Sequence, residues 1–234
     1  MKYNLLLPIA GNGQRFSDKG YELPKPLIPT NGKTILERSL ESVELDNCNL
    51  IFVVRQDHID DFFIDEIIAE KYPESNFVVA EKLTDGALST CLLAKDLVDN
   101  DTPLIIFTPD CYFEPQIKPD KINPEYDGLV CVFNSESPAH SYVKLNDDDL
   151  VVQTAEKEVI SNLAIGGLYY FKEGSSFVKY AEYMIENNMR TKGEFYIAPV
   201  FNMLIDKGYS VGIDKNTRHD ILGTPEDLER VNER

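Results

Sequence analysis

Residues 5–29 read LLLPIAGNGQRFSDKGYELPKPLIP, and the order of properties along them decides the fold. A buried-strand run, Leu5-Leu6-Leu7-Pro8-Ile9, passes directly into Ala10-Gly11-Asn12-Gly13-Gln14-Arg15. Glycines at this point let the backbone approach a ligand closely and turn its N–H groups toward it. Arg15 follows at once, and Lys25 is held between Pro24 and Pro26. A strand that ends in free amides and two cations is suited to cradling a polyphosphate at the C-terminal edge of an open α/β sheet.

The stretches that follow keep this rhythm. Strands are expected at 3–9, 50–54, 76–80 and 103–108, alternating with helices at 34–45, 57–71 and 86–98. In the first helix, Ile35, Leu36, Leu40 and Val43 fall on one face. Such alternation gives an α/β fold with a mostly parallel sheet and helices on both sides. Past residue 127 the pattern changes. Strands at 128–133, 142–145, 150–154 and 164–171 follow one another without helices, and Asn146-Asp147-Asp148-Asp149 reads as a hairpin turn. Helices return at 174–188 and 194–206, then a strand near 209–213 and a last helix after Pro225. No flexible linker or repeat divides the chain. Residues 1–234 are expected to form a single domain, with a parallel half over about 1–127 and a mixed, hairpin-bearing half over about 128–234.

Composition narrows the partners. The chain has 23 Lys+Arg against 40 Asp+Glu, a net charge of −17. An excess of this size gives no general attraction to nucleic acid or anionic lipid, so neither is expected as a partner. Cys48, Cys91, Cys111 and Cys131 form no CxxC pair, which argues against zinc ribbons and thioredoxin-type sites. Cys91, Cys111 and Cys131 sit among apolar residues and read as core. The apolar run at residues 1–8 is too brief for a signal peptide, and no 18-residue apolar stretch occurs, so a soluble, cytoplasmic protein is expected. His58, His140 and His219 show no metal-ligand spacing and read as structural or exposed. Glu226 and Asp227 after Pro225 suit the first turn of a helix.

Two better-known phosphate motifs fail. A dinucleotide fingerprint GxGxxG would need glycine at position 16, which is Phe16. A Walker A loop ending in Gly32-Lys33-Thr34 would need glycine where Leu27 stands.

GNGQRF followed by PKPLIP resembles the signature of the sugar-1-phosphate nucleotidyltransferases, in the variant GxGxRF…PKPLI found in capsule and surface-glycan clusters. Further stretches match in order: Thr84-Asp85-Gly86-Ala87, Pro109-Asp110, Glu156-Lys157, the strand Ser161–Tyr169, Gly193-Glu194-Phe195-Tyr196 and Gly223-Thr224-Pro225. The similarity spans nearly the whole chain. It implies a three-layer Rossmann-like fold of the GT-A type, with a nucleotide-binding half and a hairpin-bearing acceptor half. The residues it assigns to the nucleotide are Ala10, Gly11, Asn12, Gly13, Gln14, Arg15, Glu81, Thr84, Asp85 and Gly86. To the acceptor it assigns Asp110, Glu156, Lys157, Asn162 and Glu194. Mg²⁺ would sit on Asp110 and Asp220, and Arg15 and Lys25 would be the catalytic cations. The family's dTDP-sugar branch carries its second metal aspartate two residues before the GT, where this chain has Ile221; Asp220 stands one step earlier.

The implied reaction is attack of a phosphomonoester oxygen on the α-phosphorus of a nucleoside triphosphate, with pyrophosphate leaving. The nucleophile is already largely dianionic at neutral pH, so neither a general base nor a Ser/Cys/His nucleophile is needed. The motif variant tilts the nucleotide toward CTP, with UTP, dTTP and GTP open. The acceptor could be a hexose, heptose, polyol or other phosphate, and relatives are often dimers or larger, so a homo-oligomer is also an expectation. Two other classes stay open: a glycosyltransferase using a nucleotide-sugar donor, and a non-catalytic nucleotide-binding regulator. The first needs a DxD at the tip of a core strand, where this chain has Pro109-Asp110-Cys111; the DxD letters at 147–149 lie in the polar turn. The second would usually have lost Arg15, Lys25 or Asp110.

Overall fold

The computed structural model describes residues 2–233. β1 (Tyr3–Pro8) leads to a short helix α1 (Gln14–Ser17), a 3-10 turn at Lys25–Leu27, and a small hairpin of β2 (Pro29–Thr30) and β3 (Lys33–Thr34). Then come α2 (Ile35–Leu40), β4 (Cys48–Arg55), α3 (Gln56–Phe62), α4 (Ile64–Lys71), β5 (Asn76–Ala80), α5 (Ala87–Leu92), α6 (Lys95–Val98) and β6 (Leu104–Phe107). The second half holds β7 (Cys111–Glu114), β8 (Gly128–Asn134), β9 (Ser141–Leu145), β10 (Val151–Glu156) and β11 (Leu163–Phe171). It ends with α7 (Gly174–Glu186), α8 (Val200–Asp206), β12 (Val211–Lys215), β13 (Arg218–Ile221) and α9 (Pro225–Asn232).

β5, β4, β1 and β6 lie side by side in parallel, as their near-continuous apolar runs require for strands covered on both faces. β11 enters antiparallel beside β6, β8 pairs antiparallel with β11, and β12 adds in parallel to β8. The sheet is therefore mixed and mostly parallel. Alternation along β1 sends Leu6 to one core and Leu5 and Leu7 to the other. The Leu6 side is closed by α5, α6, α7 and α8, the opposite side by α2 and α4, which gives three layers. Thr34 caps α2 by accepting from the Glu37 backbone N–H while the Glu37 carboxylate accepts from Thr34 N–H, so the helix starts where the sequence places it. Among the described residues, no helix is long and apolar enough to cross a membrane.

Several expected elements are shorter or broken. The helix expected at 57–71 is two helices, parted at Phe63 in the left-handed region (φ 53°). On an unbroken helix, Ile64 would lie about 120° around from His58. The break lets His58, Ile64 and Ile68 all be buried. The stretch 86–98 parts between α5 and α6, and 34–45 is helical only to Leu40. The expected helix 194–206 starts at Val200, because Pro199 disfavours helix at Ala198 and the Phe195 N–H already donates to Asp85 O (2.8 Å). Cys91, Cys111 and Cys131 are buried as read, and Asn146–Asp149 is the β9–β10 turn. The antiparallel ribbon of β7 and β13 was not expected: CYFE and RHDI, four residues each and more than a hundred positions apart, are too short to carry a local strand signal.

Candidate active site

The loop after β1 and the turn at Lys25 meet at the C-terminal edge of the parallel strands. A small cavity of about 130 Å³ is lined there by Gly11, Gly13, Lys25, Thr108 and Asp110, among others. Lys25 Nζ lies 3.5 Å from Asp110 Oδ2, linking the proline-flanked cation to the tip of β6. Arg15, on exposed α1, has no carboxylate partner among the described residues. Arg55 donates to Asn12 Oδ1 (3.3 Å) and pairs with Asp57, tying the glycine loop to the end of β4.

Thr108 and Asp110 also line a larger cleft of about 660 Å³. The cleft opens where β11 changes partner. Leu168–Phe171 pair with β6, whereas Ala164 pairs with Tyr142 of β9, and the register on the β8 side shifts between Ile165 and Tyr169. At Gly166-Gly167 the carbonyls accept from Cys111 Sγ (3.1 Å) and from Thr108 Oγ1 (3.1 Å). Arg15, Ser141, Glu156, Tyr169, His219 and Asp227 are among the lining residues. Burial raises the Glu156 carboxyl above its ordinary range, opposed by the hydroxyl of Ser141, which donates to it. Burial also lowers His140, and it lowers His219 to about 4, so both rings are neutral near pH 7.

A third group of motif residues joins the two halves. Gly86 (φ 120°) opens α5 so close to Phe195 that a Cβ would lie 2.5 Å from Phe195 O, contact that only glycine allows. Leu88 N–H donates to that carbonyl (3.1 Å), and Asp85 pairs with Arg190 at 2.8 Å. Thr84 Oγ1 is 2.6 Å from Thr90 Oγ1. One residue on, the Lys157 ammonium sits over the Tyr196 ring, 4.4 Å from its centroid, and donates to the Tyr196 hydroxyl. The Glu194 carboxylate lies near enough to raise the pKa of that hydroxyl, and its charge is felt at Glu156.

The structure thus brings Gly11, Gly13, Arg15, Lys25, Asp110 and Glu156 to two adjoining cavities. Thr84, Asp85, Gly86, Glu194 and Lys157 form a neighbouring seam, while Asn162 and Glu81 are exposed outside both cavities. Asp220 has a different setting from Asp110. On β13 its neighbours His219 and Ile221 face the cleft, and strand alternation turns Asp220 to the other side. There its buried carboxylate accepts from Arg218 Nε (2.9 Å) and Nη2 (2.6 Å). Sequence reading passed over Thr108, Ser141, His140, His219 and Asp227 as cleft residues. Only Asp227 had a local signal, the Thr224-Pro225 cap: Thr224 Oγ1 accepts from its N–H (3.1 Å), which aims α9 at the cleft.

Comparison with known proteins agrees with this architecture. The nucleotidyl transferase family profile matches residues 5–234. A bifunctional protein GlmU of Methanocaldococcus jannaschii is 28% identical over 228 residues, covering 95% of this chain and 52% of that protein. A GlmU of Methanococcus maripaludis is 27% identical over 230 residues, with 95% and 52% covered. The chain spans about half the length of these curated relatives. A crystal structure of a nucleoside-diphosphate-sugar pyrophosphorylase from Vibrio cholerae superposes with TM-score 0.83 at 26% identity, covering 98% of this chain and 100% of that one. An inositol-1-phosphate CTP transferase from T. maritima shares the fold, with TM-score 0.75 at 15% identity and 100% and 97% covered.

Proposed function

Since the chain belongs to the nucleotidyl transferase family, we propose that it transfers a nucleoside monophosphate from an NTP to a phosphorylated sugar or related acceptor and releases pyrophosphate. The observation that carries this reading is the junction at Asp110. A glycine-lined cavity with Lys25 and a larger polar cleft share Thr108 and Asp110, so two phosphates could meet in line across one strand tip. The glycine-loop amides would hold the NTP phosphates, and Lys25 would bind oxygens at the reacting centre. Arg15, with no carboxylate partner among the described residues, would stabilise the departing pyrophosphate. Glu156 and Ser141 would orient the acceptor on the cleft floor.

The residues present fit Mg²⁺ with one protein carboxylate. Asp110 is a half-exposed hard-oxygen donor facing both cavities, and Mg²⁺ is commonly bound by one or two carboxylates with substrate phosphates. When bound it would neutralise charge on the phosphate oxygens. Asp220, engaged by Arg218, lies outside that donor set. CTP as the preferred nucleotide, a role in capsule or surface polysaccharide precursors, a cytoplasmic location and a homo-oligomeric assembly belong to the same proposal.

The test is pyrophosphate release from CTP, UTP, dTTP, GTP and ATP against a panel of phosphorylated acceptors. Release should require an acceptor, stop on chelation with EDTA and return with Mg²⁺. Arg15→Ala and Lys25→Ala should each lower turnover about 10²-fold or more, by analogy with losing one oxyanion donor. Near-normal turnover in both variants would falsify the cradle assignment.

A further inference from the structure

The larger cleft holds a ring that the chemistry above does not use. His219 on β13 stacks on Phe133, with ring centroids 3.9 Å apart and planes 8° from parallel, and Phe113 lies parallel at 6.1 Å. Gly166 makes room for its edge: a Cβ there would lie 2.7 Å from His219 Cε1. Nδ1 is 3.0 Å from Nδ2 of buried Asn216, whose own backbone N–H is fixed on Val132 O (2.9 Å). With Nδ1 accepting from that amide, the proton of the neutral ring resides on Nε2. Nε2 has no hydrogen-bond partner among the described residues, and the ring lines the cleft. Stacking, the asparagine and the glycine leave the imidazole little freedom, so the one open N–H is a preorganised donor.

We infer that His219 is a substrate-binding residue whose Nε2–H donates to a hydroxyl oxygen of a polyhydroxylated phosphate acceptor. This rests on the nucleotidyl-transfer reading and names the acceptor's class. A hydroxyl suits the site better than a second anionic group, because Asp110, Glu156, Glu226 and Asp227 outnumber Arg15 and Arg230 along the same cleft. Ser135, Ser137 and Ser141 add neutral hydroxyl partners along the wall. Burial, which lowers the pKa of the ring to about 4, keeps it a neutral donor through the working range.

The experiment compares glucose 1-phosphate, glycerol 3-phosphate and hydroxyl-free ethyl phosphate as acceptors for the unsubstituted chain, His219→Phe and His219→Gln. Phenylalanine keeps the stack and removes the donor; glutamine restores an amide N–H near the Nε2 position. The hydroxylated acceptors should outperform ethyl phosphate in the unsubstituted chain. For the better of them, His219→Phe should raise KM about 10-fold, with kcat and the KM for NTP within about twofold, and His219→Gln should recover most of the loss. Nitrogen-15 NMR of the unsubstituted protein should show the Nε2–H tautomer, a measurement that stands even where a variant fails to fold. An unchanged acceptor KM in His219→Phe, ethyl phosphate matching the hydroxylated acceptors, or an Nδ1–H tautomer overturns the inference. No release by the unsubstituted chain with any acceptor sinks nucleotidyl transfer itself, and so is distinguished from failure at His219 alone.

Discussion

At Glu156 the proposed acceptor role and stability pull in opposite directions. The side chain lines the cleft and accepts from Ser141, yet burial raises its pKa above the ordinary 4.5. A carboxyl that holds its proton more tightly folded than unfolded favours the native state below the unfolded pKa. That contribution is lost as pH rises through the folded value, so near pH 7 the charge is a cost. Glu156→Gln keeps an oxygen for Ser141 and removes the charge. It should raise Tm at pH 7, the gain should vanish below about pH 4, and acceptor turnover should fall. Thermal melts across pH check this; an equal or lower Tm at pH 7 would show that the charge is not a burden. The same residue marks a limit of sequence reading. The Glu156-Lys157 pair was legible as a motif, but Lys157 resting on Tyr196 was not, because that contact joins residues 39 positions apart.

Among elements, local signals and long-range ones separate cleanly. The core strands of the first half were legible because double-sided burial needs unbroken apolar runs, as in Leu104–Phe107. The glycine loop and Lys25 were legible because both lie within one short stretch. The β7–β13 ribbon was not, since pairing of Tyr112 with Asp220 depends on the register of two short segments brought together by everything between them. That ribbon decides which of His219, Asp220 and Ile221 face the cleft. The seam between α5 and the segment before α8 is a similar long-range device. Phe195 donates to Asp85 O and accepts from Leu88 N–H, locking residues 85–88 to the start of that segment. Gly86→Ala would drive a Cβ to 2.5 Å from Phe195 O at a backbone angle, φ 120°, that alanine avoids. The strain should cost on the order of 2 kcal/mol or more, a fall in Tm of about 4–8 °C for a chain of this size. A Tm unchanged on calorimetry would mean the seam yields without cost and does not hold the halves together.

For the molecule as a whole, charge is the property that sequence alone supplies and that the fold then distributes. The net −17 leaves many more carboxylates than cations can neutralise. Most described ion pairs lie at the surface, such as Lys95 with Glu182 and Lys19 with Glu226, where water screens each of them and its contribution is small. Folding draws the unmatched acids closer together, so self-repulsion weighs more on the native state than on the unfolded chain. Salt weakens that repulsion and the surface pairs alike, as the Debye length falls from ~30 Å at 0.01 M to ~8 Å at 0.15 M. The monopole is the longer-ranged of the two and should lose more. Raising NaCl over that range should therefore raise Tm by a few degrees, and differential scanning calorimetry can follow it. A falling Tm would mean that the ion pairs outweigh the net charge. The cradle should behave differently, because Lys25 and Asp110 lie only 3.5 Å apart, well inside either Debye length. Added salt should leave that local pairing largely intact while it relieves the acidic surface around it.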